Sequence, residues 1–159
     1  MRRAHEPTVG ETYSRSPIAL GNGAFTPDGR LVVSHHPIFE TAARVSIFID
    51  AATLAPFPNA AWNRPAGCSN ERLDAVLGVR SDAHGRIWML DMGTRSSVSP
   101  KMVVWDCVLD RLDRIVTLPP TALVACSEPN DFVIDERRAA RSTSPTRRRA
   151  WAATAPAPR

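Results

Sequence analysis

Two stretches of this chain repeat each other at a fixed distance, and that repeat constrains the fold more than any other feature. GAFTPDGRLVVSHH (23–36) followed by ARVSIFID (43–50) parallels VRSDAHGRIWMLDMG (79–93) followed by PKMVVWD (100–106). Gly29 and Gly85 stand 56 residues apart, as do Arg30 and Arg86, Leu31 and Ile87, and Asp50 and Asp106. An internal period of this length points to a repeat architecture. The second unit parses as strand (Ala75–Ser81), turn (Asp82–Gly85), strand (Arg86–Asp91), loop (Met92–Pro100), strand (Lys101–Asp106), turn (Cys107–Leu112) and strand (Asp113–Leu118). Gly85 supplies the positive φ that such a turn commonly needs. Pro119-Pro120 ends the last strand, because proline cannot donate to a ladder. The first unit follows the same course through Leu31–His35 and Arg44–Asp50.

The middle strands of the second unit do not alternate. Ile87 to Leu90 are all apolar, as are Met102 to Trp105. A strand apolar on both sides is a strand covered on both sides. Antiparallel four-stranded units covered on both faces describe the blades of a β-propeller. The competing sandwich calls for strands that alternate apolar inward and polar outward. The reading is therefore all-β: a partial propeller of two four-stranded blades plus the first strand of a third.

VLGVRSDAHGRIWMLDMG, PKMVVWDCVLDRLDRIVTLP and SEPNDFVIDE, in that order, resemble the major royal jelly protein and yellow family in a bacterial-type version. The resemblance rests on Gly78 to Asp82, on Gly85 to Gly93 with Trp88 inside it, on Pro100, Lys101 and Asp106, and on Asn130 to Asp135. It covers residues 20 to 136 and implies a six-bladed propeller, related in shape to the gluconolactonase-like lactonases. It also implies secretion, hence an extracellular or periplasmic location, and a small-molecule pocket at one mouth of the central channel. Members include proteins linked to dopachrome conversion and carriers of biogenic amines.

The third unit opens at Asn130 and changes character after Glu136. Residues 137 to 159 hold seven Arg and no Asp or Glu, which leaves 13 basic against 16 acidic groups in the other 136 residues. The net charge of +4 is thus a property of the tail, and the body gives no reason to expect nucleic acid. A composition so rich in Arg, Ala and Pro cannot offset its ordering entropy, so disorder is expected. A reading-frame shift near codon 136 is the simplest account of the change, and a native arginine-rich tail is the alternative. The expected organisation is a flexible leader (1–17), a partial propeller (18–136) and this tail. The leader has no apolar core of about 7–15 residues behind its arginines, and no apolar run approaches the roughly 18 residues of a membrane span. Cys68, Cys107 and Cys126 have no CxxC spacing, which argues against a metal or redox motif and allows at most one disulfide.

Candidate site residues follow from where inner strands start. Asn130 and Asp131 sit at such a start; the related lactonases place a cation-binding Asn at a comparable position, which makes Asn130 a weak Ca²⁺ candidate in a full-length parent. Capping a turn is its other reading. Asp91 could line the pocket or accept amides in the turn that follows. Arg86 could pair across its hairpin, pack on Trp88, or recognise an anion. His35 and His36 are adjacent and point to opposite faces, so they do not converge on one ion. Three functional readings stay open: a ligand-binding module, a propeller hydrolase or isomerase using channel carboxylates, and a truncated product without independent activity. The last also predicts self-association through uncovered blade faces.

Overall fold

The turn glycines set the frame. Gly29 and Gly85 adopt φ of 83° and 77°, the left-handed region that glycine enters without steric cost. Around each, one hydrogen-bond pattern recurs at the 56-residue spacing. Gly29 N–H donates to Thr26 O (2.9 Å) and Gly85 N–H to Asp82 O (3.2 Å), while Thr26 and Asp82 N–H donate to Arg30 and Arg86 O. The polar residue opening each turn also accepts the amide at its far side, Arg30 N–H to Thr26 Oγ1 and Arg86 N–H to Asp82 Oδ1. Different side chains therefore build the same hairpin.

The computed structural model describes residues 10–64, 71–123 and 127–136. It contains β1 (Leu20–Phe25), β2 (Leu31–His35), β3 (Val45–Phe48), β4 (Leu54–Pro56), β5 (Val76–Ser81), β6 (Arg86–Asp91), β7 (Lys101–Asp106) and β8 (Arg111–Thr117). These form two antiparallel four-stranded sheets, each in sequence order, β1-β2-β3-β4 and β5-β6-β7-β8. One 3₁₀ turn, Pro120–Ala122, follows. The protein is all-β. Even the irregularity repeats: the first ladder slips between Leu20 and Gly23, and the second between Val76 and Val79.

Several strand bounds differ from those expected, each for a local reason. β3 starts at Val45, where the Asn63 side chain takes the amides of both Arg44 (2.7 Å) and Val45 (3.0 Å) and so caps the strand's start. It stops at Phe48, and Asp50 instead accepts the amides of Ala52 and Thr53 to close the turn. Asp106 does the same for Val108 and Leu109, and Asp110 takes a left-handed φ of 47°. That tighter turn lets β8 begin at Arg111, two residues earlier than expected.

One core joins the sheets. Ala24, Val32 and Ile47 from the first meet Val79, Ile87, Met89, Val103 and Trp105 from the second. Each large aliphatic buried this way stabilises the fold by about 1.5–3 kcal/mol. Neighbours in sequence are buried too, Val33 beside Val32 and Val104 beside Val103, so these strands are covered on both faces. Trp62, after β4, sets its ring edge-on to Trp105 at 6.1 Å. The sheets approach most closely along β1, β2 and β5. There Ser34 Oγ accepts the Asn22 amide and donates to Leu77 O (2.7 Å).

The flanking segments are tied to this frame. From the expected leader, the Arg15 amide donates to Ala51 O, and Tyr13 donates to Gly29 O while stacking edge-on against Phe25. Residues 1–9, the tail from 137 onward, and Cys68 and Cys126 lie outside the described residues. Among the described residues, no helix is long and apolar enough to cross a membrane.

Candidate functional site

The residues singled out in the sequence separate into three places. Asp91 ends β6 at the loop end of the sheets, the mouth of the expected propeller, where loops 36–44 and 92–100 touch through Arg95 and Phe39. Arg86 starts β6, about 17 Å away at the rise of an extended strand. Asn130 and Asp131 lie beside β5. They do not converge.

At the mouth, Asp91 is fully buried. Its carboxylate accepts the amides of Asp74 (2.9 Å), Ala75 (2.8 Å) and Gly93 (3.1 Å), and Lys101 Nζ stands 3.1 Å from Oδ2. A carboxylate offers about four acceptor positions, and these donors fill them. Asp91 is therefore a structural anchor that gathers the chain entering β5, the loop leaving β6 and the start of β7. Asp91 accepts the Gly93 amide in the turn that follows it, and Lys101 is its buried counter-ion. Gly93 belongs to the same device: its φ is 68°, and a Cβ there would lie 2.1 Å from Val98 O. Pro100 contributes its carbonyl, which accepts the Leu118 amide.

At the opposite end, Arg86 donates to Asp82 Oδ2 (2.6 Å), and its guanidinium lies 5.7 Å from the Trp88 ring centre. Trp88 Nε1–H reaches the same Asp82 oxygen (2.8 Å). Burial pushes the Asp82 carboxyl up, but the bonds from Trp88, Arg86 and His84 outweigh it and hold the group below its usual range. Arg86 also stands 3.7 Å from Asp113 on β8, so its guanidinium is shared between its own hairpin turn and the outer strand of the sheet.

Beside β5 a polar row crosses the molecule. Arg80 donates to Asn22 Oδ1 on β1 (2.8 Å) and pairs with Asp131 on the other side (2.5 Å). Gly78 lets the 130–136 stretch come close, since a Cβ there would lie 3.0 Å from Asn130 O. Glu136 accepts the Ala83 amide, and Asp135 lies exposed between these contacts. Asn130 is exposed, and its backbone carbonyl is what meets β5. Asn22 and Arg80 were not legible as site residues, because they are 58 residues apart and neither is matched by a like residue at the 56-residue spacing.

His35 and His36 separate as alternation requires. His35 is buried with Nε2 2.7 Å from Ser46 Oγ, whereas His36 Nδ1 accepts the Ile38 amide. Burial pushes the Cys107 thiol up to about 11, so it is not a ready nucleophile. Among the described residues, no group of three or more His, Cys, Asp or Glu is placed to hold a metal ion. A scan against models of known protein families finds no match, and comparison with curated proteins finds none either.

Proposed function

We propose that the described residues are two neighbouring blades and the opening of a third, whose 130–136 stretch lies beside β5 without forming the strand the sequence leads one to expect, from a six-bladed propeller of the yellow and royal-jelly type, a secreted small-ligand-binding protein in its full-length form. One observation carries this reading: the 56-residue repeat extends to the hairpin hydrogen bonds, the ladder slip and the Asp50 and Asp106 turn caps. Repetition of that depth is what stacked, equivalent units produce. Two further features support it. Strands β2, β3, β6 and β7 bury both faces, which a two-layer sandwich does not require. The sheets also meet most closely along β1, β2 and β5, and 130–136 lies against β5 as well, contacts that blades packed side by side around an axis would make.

In this reading the isolated chain has no activity of its own. The binding module is favoured over the enzyme because Asp91, the buried carboxylate nearest the mouth, has no acceptor position left for proton transfer. Sequencing the gene across codons 130–145 and translating all three frames tests the proposal. A frame that continues past Glu136 with a glycine turn, an aromatic strand and further units at the same spacing is the expected result. The restored protein should then bind a biogenic amine in a calorimetric titration. If no frame continues the repeat, the propeller parent is wrong.

A further inference from the structure

The mouth holds two arginines that the preceding argument does not use. Arg44 leads into β3 of the first sheet, and Arg95 lies in the 92–100 loop of the second. Both reach the same loop: Arg44 Nη1 donates to Thr41 O (2.9 Å) and Arg95 Nη2 to Phe39 O (2.5 Å). Carbonyls two residues apart are separated by at most about 7 Å, so both guanidiniums are anchored on one short stretch of the 36–44 loop, near enough for Arg95 to act on Arg44 electrostatically. Each is fixed by one nitrogen. The Nε of each is buried and without a hydrogen-bond partner, and neither side chain forms an ion pair among the described residues. Buried donors of this kind are rare and call for an acceptor.

The surrounding acids compensate the pair only at a distance. Lys101 is matched by Asp91. Asp74 Oδ2 is engaged by the amides of Arg95 and Ser96. Asp74, then Glu40, exposed between the two anchoring carbonyls, then Asp91 favour the charged form of Arg44, but none of them forms an ion pair with it among the described residues. Burial first, and the charge of Arg95 second, lower the proton affinity of Arg44. An anion placed between the two would relieve both effects.

We infer that Arg44 and Arg95 form a two-pronged clamp for a small oxyanion, a carboxylate or a phosphate, in the mouth between the two sheets. The guanidinium fork matches either group. The site stands on these two loops and does not depend on the propeller parent. It also predicts a preference opposite to that of an amine pocket.

The test is equilibrium binding of benzoate, phenyl phosphate and dopamine to the purified chain, with folding followed by circular dichroism. The expected result is saturable binding of at least one of the two anions and none of dopamine by the clamp. Arg44→Met and Arg95→Met should each weaken it at least tenfold, while Arg111→Met on β8 leaves it unchanged. The relative affinity for benzoate and phenyl phosphate identifies the preferred anion. If a methionine variant does not fold, Arg44→Lys and Arg95→Lys keep the charge and lose the fork, and should still weaken binding severalfold. Glu40→Gln removes a competing acid and should tighten it, an effect that a purely structural pair would not show. Failure of both anions to bind, or binding indifferent to both arginines, overturns the clamp.

Discussion

His35 closes β2 with its ring only 2% exposed and Nε2 hydrogen-bonded to Ser46. Nδ1 makes no well-formed hydrogen bond, so the ring is held neutral in a place that would not welcome a charge. Burial pulls its pKa below the ordinary value of 6.5, partly opposed by the Ala19 carbonyl. A base shifted this way carries fewer protons folded than unfolded. Its contribution is therefore intact above about pH 6.5 and is lost as the pH falls from there toward the depressed folded value. Urea midpoints measured between about pH 7.5 and pH 5 should decline, and His35→Gln should flatten that part of the decline. An equal slope in the variant would assign the pH dependence to other groups. Position 35 is also where residue-level reading reached its limit. Asp91 occupies the equivalent place 56 residues later, yet one position carries a neutral ring on a hydroxyl and the other a carboxylate on an ammonium. The repeat conserves a buried polar corner and not its chemistry, which no match of letters reveals.

Among the elements, the close contact of β5 with the 130–136 stretch is the most demanding. Gly78 has Asn130 O, Asp131 Cα and the Phe132 ring at 3.0 to 3.3 Å from where a Cβ would stand. Two of those neighbours are backbone and cannot rotate aside. Gly78→Ala should push the stretch outward, at a cost of about 1–3 kcal/mol for overpacking. The Ala83 amide, which donates to Glu136, should then exchange with deuterium faster while the β6 and β7 amides keep their protection. Unchanged exchange at Ala83 would mean the stretch does not rest there. The elements themselves were largely legible. Apolar runs and turn glycines place β2, β6 and β7 at their observed bounds, because tight hairpins and buried strands write local patterns. The contacts between sheets were not. Ser34 to Leu77, Arg80 to Asn22 and Trp62 on Trp105 join residues distant in sequence, and no spacing rule announces them.

For the whole molecule the question is which surfaces remain sticky. The outer edges are guarded: β4 is three residues long and ends in Pro56, and β8 carries Arg111, Asp113 and Arg114. Short strands, proline and charge all discourage edge-to-edge pairing. Val116 on β8 is exposed as well, but the most exposed apolar side chains lie off the edges, with Ile38 at 77%, Val108 at 70% and Val133 at 93% exposure, joined by Phe25 and Phe39. Association through such groups is hydrophobic. It should rise with protein concentration and survive high salt, which screens charge pairing and leaves apolar contacts in place or strengthened. Light scattering on the purified chain is expected to show oligomers at low and high ionic strength alike, reduced by the pair Ile38→Ser and Val133→Ser. Oligomers that dissolve in salt would locate the contact on charged surface instead. A monomer at every concentration would show that the two sheets cover themselves, and would remove the need for neighbouring blades to do so.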